Sequence, residues 1–223
     1  MIRFWIACSV LAVCAAAGFS QTAVSQTSVP PNLFSPVKDA SSLKPPQGAK
    51  VAIIEYEDLE CPHCAKAFPI VHAAVEHYKI PLVECDYQIS YHAWSHDAAI
   101  CAHYLKAKVS PDLAEEYRRE VFALQSRISS RDDLHNFTQA FFTQHGKQMP
   151  FVMDSTGQYA REISDTTAQG DRIGIAATPS IFVVTNDHWI EVKDLDSLYQ
   201  AIDQAEAETA HSAAPHKRAR PRG

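Results

Sequence analysis

The chain has 223 residues, 46% hydrophobic and 21% charged, with only 7 glycines and 13 prolines; this suits one soluble globular domain and excludes fibrous and low-complexity chains. Charge is unevenly placed: five of the 20 Lys and Arg lie outside residues 21–210, leaving 15 there against all 26 Asp and Glu, a net charge of −11. So acidic a body argues against nucleic acid as its partner.

In chain order, Arg3 supplies a positive start and Phe4 to Phe19 is almost unbroken apolar sequence, with small residues at Gly18 and Ser20 ahead of Gln21. Residues 1–20 read as a signal peptide, which makes the mature protein periplasmic or otherwise extracytoplasmic. Two alternatives stay open: a single-span anchor, for which the run is short, and a lipoprotein whose cleavage box is Leu11-Ala12-Val13-Cys14, where valine fits poorly before the cysteine. Residues 21–46, rich in Ser, Thr and Pro, read as a leader. The domain is expected over 47–208.

Val51 to Ile54 is a β-branched run that suits a buried strand. It passes through Glu55-Tyr56-Glu57-Asp58 into Cys61-Pro62-His63-Cys64. From Ala65 the pattern is helical, with Phe68, Val71, Val75 and Tyr78 on one face and Pro69 expected to kink it. Leu82 to Tyr87 reads as a second strand. A helical block follows, expected over about 92–174. Ser95 caps one helix to about Lys108, and Ser110-Pro111 opens another. Ser130-x-x-Asp133 resembles a capping box. Asp154 or Ser155 starts the last helix of the block, which Gly174 ends. Ser180–Val184 and Trp189–Val192 read as a hairpin around Asn186-Asp187, and Asp194 caps a final helix. Residues 209–223, alanine-rich and then basic, read as a disordered tail. The order βαβ, helices, hairpin, helix defines an α/β domain with an inserted helical subdomain.

Cys8 and Cys14 leave with the signal, so the mature chain keeps Cys61, Cys64, Cys85 and Cys101. Four cysteines are too few for a disulfide-stapled scaffold, and their value is chemical. Cys61 lies at a strand-to-helix junction, where free amides and the helix dipole favour an anion. Pro62 is tolerated in the first turn, and His63 adds a donor or a positive charge beside the sulfur. Cys64 can close a small disulfide, which makes Cys61 the exposed, attacking sulfur and Cys64 the buried, resolving one. The alternatives are a structural disulfide or half a zinc site, which would need two more soft ligands; no second CxxC is present. Glu57, Asp58 and Glu60 are expected to be solvated loop residues. Cys85 and Cys101 are expected to be small buried hydrophobes, with a second disulfide between them left open.

The run Glu55-Tyr56-Glu57-Asp58-Leu59-Glu60-Cys61-Pro62-His63-Cys64, with Ala177-Thr178-Pro179-Ser180 leading into Ile181-Phe182-Val183-Val184, resembles the DsbA-type branch of the thioredoxin superfamily over roughly Lys50 to Ala207. The resemblance implies a thioredoxin-like fold and a protein disulfide oxidoreductase without cofactor or metal. It implies a cis Pro179 beside the active cysteines and a Thr178 backbone that pairs with an extended substrate. Glu55 matches a buried acid that assists proton transfer at the resolving sulfur. The partners implied are unfolded or reduced exported polypeptides and a quinone-linked membrane reoxidase of the DsbB kind. With no dimerisation domain recognised ahead of the fold, a monomeric oxidase is favoured over a disulfide isomerase or reductase. From a different class, a metal-binding or copper-delivery module could use Cys61, Cys64 and a histidine.

Overall fold

The computed structural model describes residues 37–212. The segment read as a signal peptide, the first part of the leader and the tail beyond Ser212 lie outside the described residues. Four strands, β1 (Val51–Glu57), β2 (Leu82–Asp86), β3 (Ser180–Thr185) and β4 (Trp189–Val192), form one sheet in the order β2-β1-β3-β4. β1 and β2 run parallel, and the other neighbours are antiparallel. The expected turn at Asn186-Asp187 joins β3 to β4.

Every residue of β1 is buried, because the strand has another element on each face, and alternate side chains therefore enter two different cores. Val51 and Ile53 face α1 (Pro62–Tyr78) and α6 (Leu198–Ser212), where they meet Val71, Ala74, Leu198 and Ile202. Ala52, Ile54 and Tyr56 face Cys85, Phe182 and Ile173. The thioredoxin-like α/β fold expected from the sequence is present.

Between β2 and β3 stand α2 (Ser95–Lys108), α3 (Pro111–Leu124), α4 (Arg131–Gln144) and α5 (Gln158–Ile173). Ser110 Oγ accepts from Leu113 N and Ser130 Oγ from Asp133 N, both at 3.1 Å, so each helix begins where its cap stands. These helices close a third core around Tyr117, Val121, Phe141 and Ile163, and Leu59, Cys61, Cys64 and Phe68 belong to that same cluster. The CPHC motif thus sits on the seam between sheet domain and insertion.

Several local expectations are corrected. α5 starts at Gln158, after a left-handed Gly157 (φ 66°), and not at Asp154 or Ser155; Asp154 caps it from outside, Oδ2 accepting from Ala160 N at 2.9 Å. Ser95 is the first residue of α2 instead of its cap, and that role falls to Glu60, whose Oε2 accepts from Trp94 N (2.7 Å) and Ser95 N (3.1 Å). Asp194 caps a 3-10 turn, Leu195–Ser197, that leads into α6. α6 continues to Ser212, into the segment read as disordered from residue 209. The end of the leader is not a free linker, since Val37 and Leu43 are buried in the sheet core and Lys38 N donates to Ile173 O.

Candidate active site

Cys61 is the N-cap residue of α1, with extended backbone (φ −80°, ψ 119°), and Pro62 occupies the first helical turn. The residue is held from three sides. Its N–H donates to Asp58 O at 2.9 Å, its carbonyl accepts the first helical bond from Ala65 N at 3.1 Å, and Gln125 Nε2 donates to Leu59 O (2.8 Å) and Cys61 O (3.1 Å). Gln125 reaches across from the turn that follows α3. The peptide bond between Thr178 and Pro179 is cis, and the Cys61 thiol donates to the Thr178 carbonyl at 3.2 Å. Two segments 117 residues apart in the chain therefore meet at one sulfur.

The two sulfurs are held in opposite states. The Cys61 thiol is lowered to about 4, first by a hydrogen bond from Cys64, then by the Thr178 side chain and the backbone N–H groups of Cys64 and His63, against a burial cost that raises it. Thr178 Oγ1 is buried and has no other hydrogen-bond partner. Cys64 is pushed far up, by burial first and then by its hydrogen bond with Cys61, with the Glu57 charge adding to it. Cys61 is 6% exposed and Cys64 0%. The expectation of an exposed Cys61 is corrected: it is a buried residue at the rim of the insertion core, less deeply placed than its partner. The side chain of His63 is exposed, and it is the backbone amide of that residue that serves the sulfur.

The acids beside the motif are not solvated. Glu55, Glu57 and Asp58 are 1%, 1% and 2% exposed. Glu57 Oε1 accepts from Arg118 Nη1 at 2.6 Å. Asp58 accepts from Glu60 N (2.8 Å) and Ile89 N (2.9 Å) and pairs with His92 Nδ1 (2.8 Å). Burial, then the neighbouring Glu84 charge, raises Glu55 to about 8. Of the acids close to the motif, it is Glu57 whose charge reaches Cys64, although its place in the sequence points to solvent. The signal that could have found it is strand periodicity: residues 55 and 57 share the face of Val51 and Ile53, which two-sided coverage of β1 must bury.

All four cysteines among the described residues are thiols. Cys85 belongs to the sheet core and Cys101 to the insertion core, and burial raises both to about 12. They pack as small apolar groups and form no bridge. The clusters of metal-ligating side chains among the described residues contain no cysteine.

A strand-to-helix CPHC over a cis-proline loop, on this sheet and with this insertion, is a dithiol site in a thioredoxin-like fold, with two sulfurs placed to close a disulfide. The chain belongs to the thioredoxin family, whose model matches residues 46–204. No curated protein matches it. Among solved structures it is similar to a doubly substituted α-DsbA1 of Wolbachia pipientis (16% identity over 74% of this chain and 90% of that one, TM-score 0.62). It is also similar to α-DsbA2 of the same organism, a thiol-disulfide exchange protein (16%, 72% and 84%, 0.57). A third is a periplasmic thioredoxin-like protein of Salmonella enterica serovar Typhimurium (16%, 72% and 87%, 0.56). At such identities the likeness is one of fold.

Proposed function

We propose that this protein is an exported oxidase that donates a Cys61–Cys64 disulfide to folding secreted polypeptides. The observation that carries the reading is the split between the two sulfurs: Cys61 held near 4 and Cys64 far above its ordinary value. A substrate thiolate attacks Cys61 Sγ, the Cys61–Cys64 bond breaks, and Cys64 leaves and takes a proton. A second substrate thiolate then attacks the substrate sulfur of the mixed disulfide and expels Cys61, which departs readily because it is comfortable as an anion. Two electrons pass from the substrate dithiol to the cysteine pair. Glu55 is the proton carrier we assign to Cys64, acting through water or Glu57, since an acid near neutrality both takes and gives a proton.

Thr178 and Pro179 form the substrate platform in this reading, with the Thr178 backbone pairing an extended chain beside Cys61. A quinone-linked membrane protein reoxidises the pair. The apolar N-terminal run in the sequence and the periplasmic source of one structural relative support a periplasmic or other extracytoplasmic location. No helix among the described residues is long and apolar enough to cross a membrane.

Replacement of Cys64 by serine tests the mechanism, because it leaves Cys61 as a lone thiolate that attacks disulfides of exported proteins, expels one of their sulfurs as a thiolate, and has no neighbouring Cys64 to release the adduct. Cys64→Ser expressed in the exporting cell accumulates mixed disulfides between Cys61 and exported proteins, seen as adducts that vanish on reduction. An absence of adducts refutes the exchange mechanism. The direction is tested by alkylating the wild-type protein in the cell: a Cys61–Cys64 pair found mostly reduced refutes the oxidase and leaves the isomerase or reductase.

A further inference from the structure

Beyond the thiols, the sheet carries acids in unusual number on one face. The β1–β2 register sets Glu55 beside Glu84 and Glu57 beside Asp86. Against these and Glu115 of α3 stands one buried guanidinium, Arg118, which is committed to Glu57 (2.6 Å) and Asp86 (3.0 and 3.1 Å). His103 is likewise held by Asp86 (2.8 Å) and Glu162 (3.0 Å). Glu55, Glu84 and Glu115 are left together, and Oε1 of each is buried with no hydrogen-bond partner. Glu55 is 1% exposed, and the charges of both Glu84 and Glu115 act on its carboxyl.

A nitrogen ligand faces the same space. His72 Nδ1 lies 3.1 Å from Glu115 Oε1, outside hydrogen-bonding geometry, since that oxygen accepts no hydrogen bond. Arg119 Nη2 lies 3.7 Å from the same oxygen, an ion-pair distance too long for a hydrogen bond. One ligand atom each of His72, Glu84 and Glu115 falls within a mutual 4.8 Å. Donors around a tetrahedral zinc ion, with bonds of about 2.0–2.2 Å, stand about 3.3–3.6 Å apart, so the His72–Glu115 pair at 3.1 Å is close to that spacing. The His72 imidazole packs against Phe68, ring centroids 4.0 Å apart. Glu84 and Glu115 also line a groove of about 260 Å³, together with Asp86, His103, Lys106 and Arg118.

We infer that His72, Glu84 and Glu115, with the Glu55 carboxylate behind them, form a binding site for a divalent transition-metal cation of the zinc class. One imidazole and two carboxylates suit such an ion, whose charge would relieve the repulsion among Glu55, Glu84 and Glu115. The site uses no sulfur and shares only Glu55 with the exchange reaction proposed above, so the two readings fail separately.

The test uses the full chain with the Cys61–Cys64 disulfide closed, so that those thiols take no metal. Zn²⁺ is titrated by calorimetry, and its effect on thermal unfolding is followed in parallel. The expected result is one Zn²⁺ per chain, with a raised melting temperature. In Glu84→Gln and in His72→Ala, affinity falls at least about tenfold and the melting shift disappears. Glu116→Gln, in the separate cluster of Glu116, Glu120 and His145, leaves binding unchanged. Glu84→Gln keeps the side-chain volume and removes a buried repulsion, so without zinc it melts no lower than the wild type; this shows that lost binding is not lost fold. No uptake by the wild type, or uptake that persists in both variants, overturns the site.

Discussion

The stabilisation of Cys61 as an anion makes a quantitative prediction about the reduced protein. A thiol that titrates near 4, and not at its ordinary value of 9.0, stabilises the folded reduced state wherever the unfolded chain would hold that proton and the native one does not. The folded value is the depressed one, so the contribution is complete above the unfolded value, shrinks as pH falls, and is gone below about 4. At pH 7 the native sulfur has been an anion, and the unfolded one still a thiol, over about three pH units; at about 1.4 kcal/mol for each, this amounts to roughly 4 kcal/mol. The disulfide form has no such anion. Denaturant unfolding of reduced and oxidised protein therefore gives a stability difference that moves by roughly 4 kcal/mol toward the reduced form between about pH 3 and pH 7. Carboxylates common to both forms cancel in this difference. The same free energy raises the potential of the pair by roughly 90 mV over one with an ordinary thiol, which is read by equilibration with glutathione. The ultraviolet absorbance of the thiolate, followed in reduced protein, gives the midpoint directly. A midpoint near that of free cysteine, about 8.5, or a stability difference that ignores pH, refutes the reasoning.

Glu55→Gln removes a carboxyl whose native value, about 8, lies above its ordinary 4.5. Such a group favours the fold below its unfolded value and works against it as pH rises through the native one, so the variant gains stability by a few kcal/mol at about pH 9 and nothing at about pH 4 in denaturant melts. It also loses the proton carrier at Cys64, and its exchange rate falls most where wild-type Glu55 is half ionised. Arg118→Ala leaves Glu57 and Asp86 buried without their common partner, a loss of about 3–5 kcal/mol in the same melts; a cost under about 1 kcal/mol would show that these acids are neutral in the fold. Gly170→Ala places a Cβ 2.6 Å from Cδ2 of Tyr87, whose ring cannot yield freely because its hydroxyl donates to Asp171 (2.8 Å) and the Ile175 carbonyl (3.0 Å). A loss of about 1–3 kcal/mol is expected, with thiol reactivity unchanged.

Much of this architecture is legible in local sequence. β-branched runs, Ser110-Pro111 and the spacing of Ser130 and Asp133 mark strands and helix starts because each signal acts within a few residues. The CPHC motif and Thr178-Pro179 are equally local, though their meeting is not: sequence carries the two halves, and only the fold brings the sulfur to the Thr178 carbonyl. The failures share one cause. Glu57, Asp58 and Glu60 read as solvated because charged residues near a loop usually are. Their partners Arg118, His92 and the amides of Trp94 and Ser95 come from a helical insertion whose docking no short-range pattern encodes. Asp154 escapes for a related reason, since a cap acting from outside a left-handed glycine does not resemble a cap in sequence. The gathering of His72, Glu84 and Glu115 needs three elements to converge, and nothing in their spacing announces it.

Gln125 clasps the carbonyls of Leu59 and Cys61 from the far end of α3, while Leu59 and both thiols pack among insertion side chains. The helical block is therefore no passive cover over a finished catalytic turn. A repacked Tyr117 or Phe141, well away from any reacting atom, would shift the seat of α3 and with it the grip on the turn that holds Cys61. Descendants of this chain can thus retune the sulfur by substitutions in the excursion alone, leaving the sheet and the tetrapeptide as they are.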